Sequence, residues 1–189
     1  MKKVFVFHWS ALQEDSLTAI HECYLAAFAA VGSDKLTTWE IGDTAKRIGI
    51  PPEVTWSSED LWGGRASEAK AAFYAKFKEL PTLPLRRGAK EMLHRLEEYG
   101  KRFCIFSMKT RTLMLREIGL LGVAALAQAY FAPEAGEKPS KENLLRKAEE
   151  FFGLENEFVL VADARYKKTA EALGWTFIEA SEDVFANLK

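Results

Sequence analysis

The sequence predicts an α/β fold, with a Rossmann-like parallel sheet and an inserted α-helical cap domain. Near both ends of the chain, short apolar segments alternate with helical patterns, as expected for parallel strands connected by helices. From residue 15 to residue 80 the pattern indicates helices and no strand. We therefore expect an α/β core formed by residues 1–14 and 81–189, and a helical cap formed by residues 15–80.

The predicted strands are short and apolar along nearly their whole length. They are rich in β-branched and aromatic residues, the composition expected of strands that are buried on both faces of a parallel sheet. They comprise Lys3 to Phe7, Arg102 to Phe106, Phe158 to Val161 and Thr176 to Ile178, with a weaker candidate at Gln128 to Phe131.

Helical patterns separate these strands, with apolar positions that recur every three to four residues. The core helices are predicted at Gly88 to Tyr99, Thr112 to Ile118, Lys141 to Phe152 and Lys167 to Leu173. A glycine follows each helix, where a left-handed residue is favoured. Those glycines are Gly100, Gly119, Gly153 and Gly174.

The segment predicted as the cap contains three or four helices that are broken by glycine and proline. Its tryptophans, Trp39, Trp56 and Trp62, are expected in the core or at the rim of the cap rather than stacked on a ligand, because Trp is usually well buried without being functional. Pro81 and Pro84 then end the last helix and return the chain to the core.

Composition and charge restrict the class of protein. The net charge of −1 provides no basic field for nucleic acid, and basic helix residues such as Lys141 are expected to be solvated. No apolar run approaches the roughly 18 residues that cross a bilayer, and the run after Lys3 is too short for a secretory signal. Cys23 and Cys104 are expected to be reduced and buried. We therefore expect a cytoplasmic protein that binds neither nucleic acid nor membrane.

The loop after the first strand carries the most information. The apolar run Val4-Phe5-Val6-Phe7 leads to His8, then to Ser10, Ala11 and Leu12, and an Asp15-Ser16 pair starts the next helix. A strand followed by a short loop and a helix start is a common frame for a ligand site, because ligands of open parallel sheets bind beyond the carboxyl ends of the strands.

Three more segments have polar residues at a strand end or at a helix start. Ser107 follows the second strand, Lys138 precedes Pro139 and a helix, and Asp163 follows the fourth strand with Lys167 four residues later. Because the carboxyl ends of parallel strands lie at one edge of the sheet, Ser107 and Asp163 are expected on the same edge as His8.

In this order and spacing, the four segments resemble the motifs of the haloacid dehalogenase (HAD) superfamily, and most closely its phosphoglycolate-phosphatase-like branch with a helical cap. The resemblance extends from Val4 to Ile178. It implies that His8 stands at the position of the nucleophilic aspartate, and that Ser10 stands at the position of the general acid/base aspartate.

The remaining motifs are matched in part. The resemblance implies that Ser107 and Lys138 occupy the phosphate-contacting Ser and Lys positions of the second and third motifs. Asp163 matches the first acid of the fourth motif, and Lys167 stands in place of the second.

This resemblance implies that the family's chemistry is impaired. HAD phosphatases need a carboxylate nucleophile, a second carboxylate that carries the proton, and Mg²⁺. The degenerate positions His8, Ser10 and Lys167 supply none of these acids, so no catalytic residue is assigned. Asp163 alone remains as a matched carboxylate, and the Mg²⁺ site is predicted to be lost, with no cofactor expected.

The same residues allow two arrangements. With neutral His8, the charges of Lys138 and Lys167 exceed that of Asp163, so His8, Ser107, Lys138 and Asp163 could bind a small phosphorylated or anionic ligand without a metal. Alternatively, an Asp163–Lys167 ion pair beside His8 replaces the metal site with a satisfied internal network.

Three roles are compatible with His8: a hydrogen-bonded buried side chain, a polar contact for an anion, and a nucleophile that forms phosphohistidine. We expect a catalytically inactive HAD-like protein that binds a phospho-ligand or acts as an interaction protein. The alternatives are a HAD-family hydrolase with residual or unorthodox activity, and a scaffold that forms a homodimer through its cap.

Overall fold

A computed structural model describes residues 2–47, 52–137 and 140–188. The chain divides into two compact units, one formed by Met1–Glu14 and Pro84–Lys189 and the other by Asp15–Leu83. The first unit contains all the described strands, and the second is helical. None of the described helices has both the length and the apolar character needed to cross a membrane.

The first unit is built on a five-stranded sheet in which all paired strands are parallel, with the order β3-β2-β1-β4-β5. The predicted α/β fold with a parallel sheet is therefore confirmed, including its weakest strand. The strands are β1 (Lys3–His8), β2 (Arg102–Phe106), β3 (Ala129–Phe131), β4 (Glu157–Ala162) and β5 (Thr176–Glu179).

The helices follow the predicted alternation. A 3₁₀ turn at Ala164–Tyr166 precedes the eleventh helix. In chain order the helices are α1 (Trp9–Leu12), α2 (Leu17–Ala30), α3 (Lys35–Thr38), α4 (Ile41–Arg47), α5 (Pro52–Trp56), α6 (Glu59–Trp62), α7 (Ala66–Glu79), α8 (Ala89–Glu98), α9 (Arg111–Leu120), α10 (Lys141–Phe152), α11 (Lys167–Ala172) and α12 (Glu182–Asn187).

Both faces of the sheet are buried. Phe5 and Phe7 of β1 belong to a cluster that contains residues of α8, α9 and α12. Val4 and Val6 belong to a second cluster, which contains residues of α10 and α11. This two-sided burial explains why β1 is apolar along its length instead of alternating with polar residues.

One predicted helix end was wrong. Gly119 lies inside α9, and the left-handed residue is Gly122, with φ 69°. The Val123 N–H donates to the Ile118 carbonyl, and the Gly122 N–H donates to the Gly119 carbonyl. These are the two bonds of a Schellman motif, and Val123 is buried in the same cluster as Ile118. The helix therefore ends at Leu120, two residues later than predicted, and its left-handed glycine lies three residues later.

The helical unit has its own core. Its long helices, α2 and α7, pack against each other, and Trp62 is buried while Trp39 and Trp56 pack partly buried against the same cluster. The predicted placement of the tryptophans in the core or at the rim of this unit is confirmed. The described residues form six helical segments rather than three or four, because α3, α5 and α6 are single turns. The predicted break at residues 49–52 falls mostly outside the described residues.

Candidate functional site at the carboxyl ends of the strands

The sheet brings His8 and Asp163 together. His8 is the last residue of β1 and Asp163 follows β4, and the His8 Nδ1 lies 3.2 Å from Asp163 Oδ2. Ser107 follows β2 at the same edge but is fully buried, and its Oγ accepts the backbone N–H of Lys109 at 3.0 Å. Lys138 lies outside the described residues. The pairing of β1 with β4 thus brings together two residues that were expected at the same edge of the sheet.

His8 is enclosed by protein. Its side chain lies beside the rings of Phe106 and Tyr166, with centroid separations of 5.0 and 4.5 Å, and the residue is only 4% exposed. Its Nε2 lies 3.1 Å from the Tyr166 hydroxyl. Burial lowers the pKa of His8 below its ordinary value of 6.5, and this effect outweighs the hydrogen bond that His8 donates to Asp163, which raises the pKa. His8 is therefore neutral near pH 7.

The direction of each hydrogen bond follows from these charges. An ionised Asp163 can only accept, so Nδ1 of His8 carries the proton and donates it. Nε2 then has a lone pair and accepts the Tyr166 hydroxyl hydrogen. Burial raises the pKa of Tyr166, which keeps that hydrogen in place. Both ring nitrogens of His8 are thus occupied by protein groups.

Asp163 has a second partner, Arg165. The Arg165 Nε donates to Asp163 Oδ1 at 2.7 Å and its Nη2 donates to Oδ2 at 3.1 Å. Burial alone would raise the pKa of Asp163, but the hydrogen bonds from His8 and Arg165 outweigh it and hold the pKa well below its usual range. We call His8, Asp163, Arg165 and Tyr166 the His8 network.

The predicted Asp163–Lys167 ion pair was wrong. Among the described residues, the ion-pair partner of Asp163 is Arg165, and neutral His8 is a hydrogen-bond partner. Lys167 is exposed as the first residue of α11. Asp163 caps the 3₁₀ turn by accepting the backbone N–H of Arg165, which brings that residue's guanidinium back to the carboxylate. In the sequence, an Asp at a strand end with an Arg two residues later could have indicated this ion pair.

Lys141 also contributes to this edge, although sequence reasoning assigned it to a solvated helix face. Its Nζ lies 4.5 Å from the ring centroid of Tyr166 and 3.4 Å from the carbonyl oxygen of Arg165. It is the first residue of α10, which follows the N-cap Ser140. The start of α10 therefore adds a second cation beside the His8 network.

A separate polar cluster holds the loop after β1. The Trp9 Nε1 donates to Glu117 Oε2 at 2.6 Å, and the Lys109 Nζ donates to the two Glu117 oxygens at 2.8 and 2.7 Å and to Gln13 Oε1 at 3.2 Å. We call these four residues the Glu117 cluster. It connects α1 to the loop after β2 and to α9. No sequence pattern indicated it, because its members come from three separate segments.

The residues at this edge do not match the oxygen donors that Mg²⁺ requires. Position 8 supplies an imidazole whose nitrogens are both engaged, and both oxygens of Asp163 are bound by Arg165 and His8. Within the described ranges, no group of three or more His, Cys, Asp or Glu side chains is placed to hold a metal ion. In this arrangement the guanidinium of Arg165 neutralises Asp163.

No family model matches the chain, and no curated protein gives a significant sequence match. Solved structures do match its fold. A haloacid dehalogenase-like hydrolase from Streptococcus pneumoniae has a TM-score of 0.75 at 16% identity, over 93% of this chain and 83% of that chain. A HAD-superfamily hydrolase of subfamily IA from Geobacter sulfurreducens has a TM-score of 0.72 at 15% identity, over 100% and 97%. The Protein Tyrosine Kinase A of Mycobacterium tuberculosis has a TM-score of 0.70 at 22% identity, over 93% and 82%.

Proposed function

We propose that this chain, which has the fold of the HAD superfamily, lacks the Mg²⁺-dependent phosphatase chemistry of that fold and binds an anionic, phosphorylated ligand without hydrolysing it. The observation that carries the proposal is the His8 network. At the position where a HAD phosphatase needs a free carboxylate, this chain has a buried, neutral imidazole with both nitrogens hydrogen-bonded.

Nucleophilic attack by His8 would need the lone pair of Nε2. That lone pair accepts the Tyr166 hydroxyl, and the ring is almost completely buried. Ser10, at the position of the acid/base, has a hydroxyl that is a poor proton donor at neutral pH. Nucleophilic attack and protonation of the leaving group therefore both lack a competent side chain, which supports a role without turnover.

Binding of an anion is supported by the two cations beside the network. The side chain of Arg165 is 45% exposed and uses Nε and Nη2 for Asp163, and its Nη1 donates to no protein group in the described part of the chain. Lys141 adds a second positive charge. Because His8 is neutral, the two cations exceed the single charge of Asp163, and a planar guanidinium is well suited to phosphate oxygens.

Calorimetric titration with inorganic phosphate and with a panel of phosphorylated metabolites tests the proposal, with phosphate release measured in parallel. We expect saturable binding without release, and weaker binding by Lys141→Ala. Lys147→Ala removes the same charge from the same helix and should bind as the wild type does. Saturable phosphate release would instead favour the residual-hydrolase alternative, and neither binding nor release would favour an interaction protein.

A further inference from the structure

We infer that Arg165 is a permanent internal cation that takes the place of the divalent metal beside Asp163, so that the strand-end site is assembled without any metal. The inference rests on the geometry of the ion pair. The guanidinium reaches both oxygens of Asp163, at 2.7 and 3.1 Å, through two different nitrogens. This two-point contact is the strong, oriented form of an arginine–carboxylate pair.

Asp163 needs a cation at this position. Its carboxylate is only 28% exposed, and its other protein partner, His8, is neutral. A partly buried carboxylate without a compensating charge is strongly disfavoured. In a HAD phosphatase the bound metal supplies that charge, whereas here Arg165 supplies it, and an arginine stays charged at any physiological pH.

Arg165 is held at this position by the backbone as well as by its side chain. Its own N–H donates to Asp163 Oδ1 at 3.2 Å as the 3₁₀ turn begins. The short connection keeps the guanidinium at a high local concentration beside the carboxylate. A metal ion from solution would have to displace a group that cannot diffuse away.

The other nearby cations do not replace Arg165. Lys167 is exposed on α11, and the Nζ of Lys141 lies against the ring of Tyr166 and the Arg165 carbonyl. Arg165 also acts on β1 indirectly, because Asp163 orients the imidazole of His8 and His8 accepts from Tyr166. Loss of the guanidinium should therefore weaken the whole His8 network.

Thermal unfolding of the wild type, Arg165→Ala and Arg165→Lys, each with EDTA or with millimolar MgCl₂ at matched ionic strength, tests the inference. We expect the melting temperature of the wild type to be the same in both buffers. Arg165→Ala should melt several degrees lower and should recover part of this loss in MgCl₂. Arg165→Lys keeps the charge without the two-point contact, and its melting temperature should lie between those of Arg165→Ala and the wild type. Arg116→Ala, which removes an exposed arginine of α9, is the matched control and should melt close to the wild type.

Calorimetric titration of the wild type with MgCl₂ needs no variant and should give no saturable binding. Saturable Mg²⁺ binding by the wild type, or an Arg165→Ala variant as stable as the wild type, would overturn the inference. If Arg165→Ala does not fold, Arg165→Lys and the wild-type titration still decide it. No phosphorylated ligand is present in these experiments, so their failure is distinct from a failure of the proposed binding function.

Discussion

At the scale of single residues, His8 is the centre of a chain of three side chains, in which a carboxylate accepts from an imidazole and the imidazole accepts from a phenol. Each group limits the protonation state of the next. The ionised Asp163 fixes the tautomer of His8, and that tautomer makes Tyr166 the donor to Nε2. His8 thereby serves the structure of the site.

The Tyr166 hydroxyl should contribute measurably to stability. Tyr166→Phe keeps the ring beside His8 but leaves the buried Nε2 without a donor, which should lower the free energy of unfolding by about 1–3 kcal/mol. Urea unfolding measures this loss. Tyr99→Phe is the control, because Tyr99 is exposed and its substitution should change stability little. A Tyr166→Phe variant with wild-type stability would contradict the assigned hydrogen bond.

Acidification should destabilise the protein through His8. Its folded-state pKa lies below the ordinary value of 6.5, so as pH falls below about 6.5 the unfolded chain takes up a proton that the folded chain does not. The free energy of unfolding should then fall by at most about 1.4 kcal/mol per pH unit from this one group. Urea unfolding between about pH 7.5 and 5.5 measures the slope. The slope should be shallower in His8→Gln, and equal slopes would exclude His8 as its source.

At the scale of elements, the loop after β1 is fixed by a second polar group of residues. The Glu117 cluster joins α1 to α9 through a nearly buried carboxylate, whose side chain is 9% exposed, and through Lys109, which is 23% exposed. Trp9 contributes its indole N–H to the same carboxylate while its ring belongs to the apolar core. The cluster holds the residues that follow His8 without contributing a reactive group to the strand-end site.

The Lys109–Glu117 pair should show strong energetic coupling. Lys109→Met leaves a nearly buried carboxylate without its cation and should lower stability by about 3 kcal/mol. The double variant Lys109→Met/Glu117→Gln should lose less than the sum of the single losses, with a coupling of about 1–3 kcal/mol. The exposed Lys46–Asp43 pair is the control, with a coupling of about 0.5 kcal/mol or less. Additive losses for Lys109 and Glu117 would show that they do not interact as described.

Adding carboxylates at positions 8, 10 and 167 should not by itself create a metal site. The variant His8→Asp, Ser10→Asp, Lys167→Asp still contains Arg165, which neutralises Asp163. We expect no Mg²⁺ binding in a calorimetric titration of this triple variant. Adding Arg165→Ala should make Mg²⁺ binding measurable, because the carboxylates then have no internal cation. Equal Mg²⁺ affinities for the triple and quadruple variants would contradict the role given to Arg165.

The sequence predicted the sheet well, because continuous apolar runs separated by helical periods leave few other folds. It also placed His8 and Asp163 at one edge, since both follow parallel strands, whose carboxyl ends lie at the same edge of the sheet. The sequence led to Lys167 instead of Arg165 as the ion-pair partner of Asp163. The reason is that the 3₁₀ turn after β4 depends on local backbone geometry, which residue periodicity does not reveal. The Glu117 cluster was missed because its contacts join segments that are distant in sequence.

At the scale of the whole molecule, the fold and the chemistry of its site are separable. Apolar clusters on the two faces of the sheet stabilise the α/β unit, whereas the His8 network lies at the ends of the strands. The same fold occurs in solved structures named as hydrolases and as a tyrosine kinase. A fold of this kind therefore does not determine the reaction, and the side chains at the strand ends must be tested directly.

The most direct test of the proposed loss of phosphatase chemistry is the hydrolysis of para-nitrophenyl phosphate by the purified wild type and by His8→Ala, each with MgCl₂ and with EDTA. We predict that all four rates equal the rate without protein, because no group at position 8 or 10 can complete the reaction. Saturable, Mg²⁺-dependent turnover by the wild type that disappears in His8→Ala would contradict the account.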